Sequence, residues 1–169
     1  MRSLILKPSL FENFTVAVSL VVLGLMAGFF WTYSFNVNLA TATLDGATYA
    51  KVQSLFNQNV RHFSFFALFF GGAFFPLFAL LVNYRHWKQL DFYLIALALL
   101  IYAFGIVLFT RQVNLPLNAY TESWNPSDLP ADWASVRQRW NDANMLRVYF
   151  SSSSFVLCLS ALVLRASRR

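Results

Sequence analysis

Residues 63–82 read FSFFALFFGGAFFPLFALLV, a stretch of twenty residues without a charged side chain. As an α-helix this stretch would be about 30 Å long, which matches the hydrocarbon thickness of a bilayer. Three further uncharged stretches of similar length lie at 14–35, 92–110 and 148–164. The sequence therefore predicts an all-α fold, an integral membrane four-helix bundle that forms a single domain over residues 1–169.

The composition supports a membrane protein and leaves no room for a separate soluble domain. Hydrophobic residues make up 58% of the chain and charged residues 12%, whereas about a quarter of a typical soluble domain is charged. The four predicted spans and the connections 39–62 and 111–147 use nearly all of the 169 residues. Functional side chains must therefore lie in the bundle or in these two connections.

The net charge of +6 has the distribution of a membrane topology signal. Basic residues are dense in the short segments outside the spans, namely Arg2, Lys7, Arg85, Lys88, Arg165, Arg168 and Arg169. The two long connections hold five of the seven acidic residues. Because short Lys/Arg-rich segments stay in the cytoplasm, we expect both termini to be cytoplasmic and the long connections to be outside. We expect a bacterial plasma membrane and no nucleic-acid partner.

The connections contain helical patterns of their own. Residues 47–62 predict an amphipathic outer helix that runs into the second span without a clear break. Pro116 is expected to end the helix of the third span just beyond Arg111. From Ala131 onward, helical periodicity leads directly into the fourth span, which predicts one helix of some 34 residues. Within the second span, Gly71-Gly72 predicts close approach of a neighbouring helix.

A polar face leads into the fourth span. Its members follow the spacing i, i+4, i+7, i+8, i+11 and i+14, and they are Trp133, Arg137, Trp140, Asn141, Asn144 and Arg147. The ends of the other spans bring further polar residues to the same level: Asn57, Arg61, His62, Asn114 and Asn118. Unsatisfied polar groups in hydrocarbon cost several kcal/mol. Two interpretations stay open, a polar pocket that faces outward and a structural hydrogen-bond network.

Several classes of site are excluded by residue counts. The two histidines, His62 and His86, stand at opposite ends of the second span, and Glu12 and Glu122 are the only glutamates. A carboxylate di-iron site and a bis-histidine haem therefore cannot form in one chain. We predict no metal and no cofactor, and only a single axial haem ligand at His62 stays open. The predicted spans contain no ionisable Asp, Glu, Lys, Arg or His, which disfavours ion or proton transport.

Four sequence elements resemble the anthrone-oxygenase-like family of small four-helix membrane proteins. They are Gly28-Phe29-Phe30, the segment VQSLFN at 52–57, the segment NLPLN at 114–118, and Trp140-Asn141 followed by Asn144 and Arg147. The resemblance covers nearly the whole chain. It implies a four-helix fold whose polar family residues lie on one side of the membrane. For the fungal members it also implies oxidation of anthrones to anthraquinones by O₂ without an evident cofactor.

This resemblance implies roles for the polar residues. His62 is the candidate general base, with an interfacial histidine as the alternative, and Asn57 and Arg147 are the other candidate catalytic residues. The candidate substrate-binding residues are Arg61, Asn114, Asn118, Trp140, Asn141 and Asn144. The ligand would be an anthrone-like or other small aromatic or quinol compound. The alternative function is a non-catalytic membrane subunit or scaffold whose outer connections bind a protein partner, because Trp and Arg are favoured interface anchors.

Overall fold

The computed structural model describes residues 7–167, so Arg2, Arg168 and Arg169 of the charge argument lie outside the described residues. The described chain is all-α, with an isolated bridge between Asn125 and Asp128 and no strand. It forms five long helices, namely α1 (Leu10–Ala42), α2 (Gly46–Asn59), α3 (Phe63–Val82), α4 (Leu90–Glu122) and α5 (Trp133–Ala166).

Four of these helices, α1, α3, α4 and α5, are long and apolar enough to cross a membrane. They form a bundle in which α1 packs on α3 and α5, and α4 packs on α3 and α5. The core along the bundle axis includes Leu23, Ile95 and Tyr102, while apolar side chains such as Phe74 and Leu81 are exposed on the outside. Such exposed apolar side chains fit contact with lipid. The predicted integral membrane four-helix bundle is confirmed.

Helices α3 and α4 approach closely at Gly72. A β-carbon at this position would lie 2.2 Å from Cζ of Tyr102, so a side chain here would displace the ring. The Tyr102 hydroxyl donates a hydrogen bond of 3.0 Å to the backbone oxygen of Phe69. The predicted close approach is therefore confirmed at Gly72. Contacts of α3 with α4 are concentrated on residues 90–108 of α4, and they are sparse beyond that range.

The prediction that Pro116 ends the third helix is wrong. The helix continues to Glu122, and the backbone is π-helical over Thr110–Asn114 before it returns to an α-helix at Leu115. Pro116 therefore falls in the first turn of the new α-helical stretch, where a missing N–H costs little. Helix α1 also contains a π-helical segment, Tyr33–Val37, and extends beyond the predicted limit of residue 35 to Ala42.

The prediction of an unbroken helix from residue 47 into the second span is also wrong. Helix α2 ends at Asn59, and α3 starts afresh at Phe63 with His62 as its N-cap. The predicted 34-residue helix is confirmed as α5. Helix α2 packs over the end of the bundle through a small core formed by Tyr49, Trp124 and Val136.

A buried ion pair joins the helices at the other end of the bundle. Arg165 Nε donates to Asp91 Oδ2 at 2.7 Å, and Arg165 Nη1 donates to Asn83 Oδ1 at 2.7 Å. Asp91 is 0% exposed and Arg165 2%. Asn83 Nδ2 reaches Thr15 Oγ1 of α1 at 3.3 Å. Because Asp91 and Arg165 flank the uncharged stretches, the sequence analysis placed them outside the spans. We call this region the Arg165 end.

The substitution Asp91→Asn is expected to destabilise the bundle by about 3–5 kcal/mol, because it leaves the buried Arg165 guanidinium without a counter-charge. Unfolding in detergent or nanodiscs, followed by circular dichroism, measures the change. The matched control replaces both Asp91 and Arg165 with Leu, which removes the two charges together and is expected to recover most of the loss. Wild-type stability of Asp91→Asn would contradict this role.

Candidate functional site

The polar side chains at the opposite end of the bundle, which we call the amide end, surround Arg147 of α5. Arg147 is 8% exposed, and no described carboxylate forms an ion pair with it. Its Nη2 donates to Asn144 Oδ1 at 2.6 Å, while Nε has no hydrogen-bond partner among residues 7–167. The guanidinium carbon lies 4.8 Å from the centre of the Phe30 ring and 5.8 Å from that of Trp140. The cation is therefore balanced by ring faces and one amide.

Hydrogen bonds tie the side chains of α5 to the neighbouring spans. Asn144 Nδ2 donates to Ser34 Oγ of α1 at 2.6 Å. Trp140 Nε1 donates to Asn118 Oδ1 of α4 at 2.7 Å. The Trp140 ring also lies 5.3 Å from the ring of Tyr33, measured between centres. These contacts hold the Arg147 surroundings in one arrangement.

Helix α2 contributes Asn57, which is buried. Its Oδ1 accepts from Gln53 Nε2 at 3.1 Å, and its Nδ2 donates to Thr121 Oγ1 of α4 at 3.4 Å. The amides of Asn57, Asn118 and Asn144 are thus each paired with another side chain. Such pairing is what a structural network would require, whereas the Arg147 guanidinium keeps an unused donor at Nε.

Two cavities meet at Arg147. One is a small chamber of about 50 Å³, which has room for water molecules but not for an aromatic ligand. Its lining is formed by Phe29, Tyr33, Phe56, Asn57, Val60, Phe65, Asn118, Trp140, Asn144 and Arg147. A second cavity of about 280 Å³ lies between α3 and α4. Its lining includes Phe65, Phe66, Phe69 and Phe70, so we call it the phenylalanine cleft. Arg147 and Asn118 line both cavities.

The structure therefore brings Asn57, Asn118, Trp140, Asn144 and Arg147 to one chamber, as expected from the sequence. Arg61 lines the phenylalanine cleft. Both of its Nη atoms donate to the carboxylate of Glu122, so this cation is paired.

Three predicted site residues are not brought to the lining of either cavity. His62 is exposed, and its Nδ1 accepts from the backbone N–H of Phe65 at 3.3 Å as the N-cap of α3. Asn141 is half-buried. Asn114 is only 1% exposed, and neither atom of its amide has a partner among residues 7–167.

The sequence analysis missed Tyr33, Ser34 and Thr121. None of the three is among the residues predicted for the site. One signal available in the structure is the π-helical backbone, which frequently marks functional sites. Two of the three π-helical segments in the described residues, Tyr33–Val37 and Thr110–Asn114, lie at this end of the bundle, and the third is Ala103–Leu108.

The chemistry that this site offers is recognition of negative charge beside aromatic surface. An unpaired guanidinium can donate to an anionic oxygen, and the ring faces around it suit a flat apolar body. Within residues 7–167 no group of three or more His, Cys, Asp or Glu side chains is placed to hold a metal ion.

The sequence model for the family described as Anthrone oxygenase matches residues 52–157, which is more than half of the chain. The match includes the second half of α2, all of α3 and α4, and most of α5, and thus every predicted site residue. No curated protein and no solved structure matches the chain. By this match, the chain belongs to the anthrone oxygenase family.

Proposed function

We propose that the protein is a membrane oxygenase that binds a small anthrone-like aromatic compound as its anion and lets it react with O₂. The observation that carries this proposal is the buried, unpaired Arg147 beside two cavities. A charge in a membrane bundle is costly unless it is paired or used, and such residues usually serve a function. An anionic ligand would supply the missing partner.

The chemistry follows from the acidity of an anthrone. Its methylene group lies between two rings and opposite a carbonyl group, so loss of one proton gives an enolate whose charge rests largely on oxygen. A guanidinium that donates to this oxygen favours the ionised form of the bound substrate. Arg147 lines both cavities and is suited to this task, and Asn118 is an amide that also lines both cavities.

The oxidation step balances without a further reactant. The enolate carbon forms a bond with one oxygen atom of O₂, and protonation of the other oxygen gives a hydroperoxide. Loss of water from this carbon then forms the second carbonyl group. The methylene carbon thus loses two hydrogens and four electrons, one oxygen atom stays in the quinone, and the other leaves in water.

The proposal also assigns an orientation. Arg85 and Lys88 lie in the short connection at the Arg165 end, so we place that end in the cytoplasm. The amide end would then face outward, as expected for a bacterial plasma membrane protein with both termini inside.

The substitution Arg147→Gln is expected to lower anthrone oxidation by about 100-fold or more, the typical loss when one oxyanion donor is removed. Oxygen consumption with anthrone as substrate in nanodiscs measures the rate. Stability should not fall, because the change removes an unpaired buried charge and Gln can still donate to Asn144.

The matched control is Arg139→Gln, since Arg139 lies on the same helix with its side chain 61% exposed. It is expected to keep the wild-type rate within about twofold. A folded Arg147→Gln protein that oxidises anthrone at the wild-type rate would refute the role of Arg147. A wild-type rate no higher than that of empty nanodiscs would refute the oxygenase proposal and favour the non-catalytic membrane subunit.

The substitutions His62→Asn and His62→Ala separate two roles of this histidine. Asn is a good N-cap and Ala is not, so only the Ala variant should lose about 1 kcal/mol of stability. Because His62 lines neither cavity and its Nδ1 caps α3, we expect His62→Asn to keep turnover within about twofold. A loss of about 100-fold in His62→Asn with unchanged stability would instead identify the imidazole as the general base.

A further inference from the structure

The phenylalanine cleft opens toward the side of the bundle. It lies where α3 and α4 diverge, beyond the close approach of Gly72 and Tyr102. Three apolar side chains of its lining, Phe66, Phe70 and Leu115, are between 43% and 55% exposed. Phe66 and Phe70 belong to the uncharged stretch 63–82 of α3, so their exposed surface fits contact with lipid.

The inner part of the same cleft is polar and cationic. Arg147 and Asn118 form its wall where it meets the small chamber, and Thr110 contributes a buried hydroxyl without a hydrogen-bond partner among residues 7–167. The cleft therefore changes from apolar at the lipid side to positively charged at the bottom.

An ion pair and a helix border the cleft at the end of the bundle. Arg61, which lines the cleft just before α3, forms an ion pair with Glu122 at the end of α4. Helix α2 covers the end of the bundle beside it, since Asn57 is bonded to Thr121 of α4. A ligand that is soluble in lipid meets neither barrier when it approaches between α3 and α4.

We propose that the phenylalanine cleft is a lateral access route and binding site for a planar aromatic anion that reaches the protein through the bilayer. This inference rests on the proposed function and adds the route and the place where the ligand binds. The rings of the ligand lie against Phe65 and Phe69, which are stacked 5.6 Å apart between centres, and its ionised oxygen pairs with Arg147. A cavity of about 280 Å³ is near the lower limit of small-molecule pockets, which fits two or three fused rings.

The neutral form of such a compound dissolves in the membrane, and the ionised form gains the contact with Arg147. The site therefore selects by charge among aromatic molecules that are all enriched in lipid. This selection makes a direct test possible with two probes that share the same three fused rings, anthracene-9-carboxylate and uncharged anthracene.

The test measures equilibrium binding of radiolabelled anthracene-9-carboxylate to the full chain in phosphatidylcholine nanodiscs, with empty nanodiscs as background. Leu115→Trp replaces a leucine side chain of the cleft with a larger indole ring. Because this ring takes up space in the cleft, we expect binding to weaken at least about tenfold. The matched control Leu81→Trp adds the same ring at a lipid-exposed position of α3 outside the cleft, and it should bind within about twofold of wild type. Anthracene should bind at least about tenfold more weakly than its carboxylate.

Three results would overturn the inference. They are equal binding by wild type and Leu115→Trp, equal binding of the two probes, and displacement of the probe by phosphatidylglycerol, which would make the occupant an anionic lipid. Arg147→Gln in the same assay separates this inference from the proposed function. If Arg147→Gln loses binding while Leu115→Trp does not, the lateral route is wrong and the role of Arg147 stands. If Arg147→Gln binds like wild type, the proposed function fails as well.

Discussion

A charge inside a membrane bundle must find a partner, because hydrocarbon offers neither water nor counter-ions. The two buried arginines of α5 meet this constraint differently. Arg165 is paired with Asp91 and also donates to Asn83, so its charge joins the helices at one end. Arg147 has ring faces and the amide of Asn144 around it but no described carboxylate. The first arrangement joins the helices, and the second is the basis of the proposal that an anionic ligand binds beside Arg147.

The remainder of the amide end is organised around this unpaired charge. The amides of Asn57, Asn118 and Asn144 are bonded to neighbouring side chains, so they position the surroundings of Arg147 without occupying its free Nε donor. Sparse contact between α3 and α4 leaves an apolar cavity next to the same guanidinium. A cation, aromatic walls and an opening toward lipid therefore coincide at one place, and this coincidence supports an aromatic anion as the ligand.

The sequence predicted the bundle because uncharged stretches of bilayer length are a strong signal, and helical spacing correctly grouped Trp140, Asn144 and Arg147. It could not locate His62, because the break between α2 and α3 turns this residue into an exposed cap. The prediction that the third helix ends at Pro116 was wrong because a π-helical segment precedes this residue. The spacing of residues in the sequence does not reveal such a segment. The burial of Asp91 could not be predicted from the sequence, because a charged residue beside an apolar stretch normally marks the end of a span.

Nuclear magnetic resonance of ¹⁵N-arginine-labelled protein in nanodiscs tests the state of Arg147 most directly. We expect an Nε–H signal of Arg147 that exchanges slowly with water and is absent from the spectrum of Arg147→Gln. This signal should move when anthracene-9-carboxylate is added but not when anthracene is added. An Arg147 signal that exchanges with water as fast as those of surface arginines, or that does not move when anthracene-9-carboxylate is added, would contradict a buried cation that binds an organic anion.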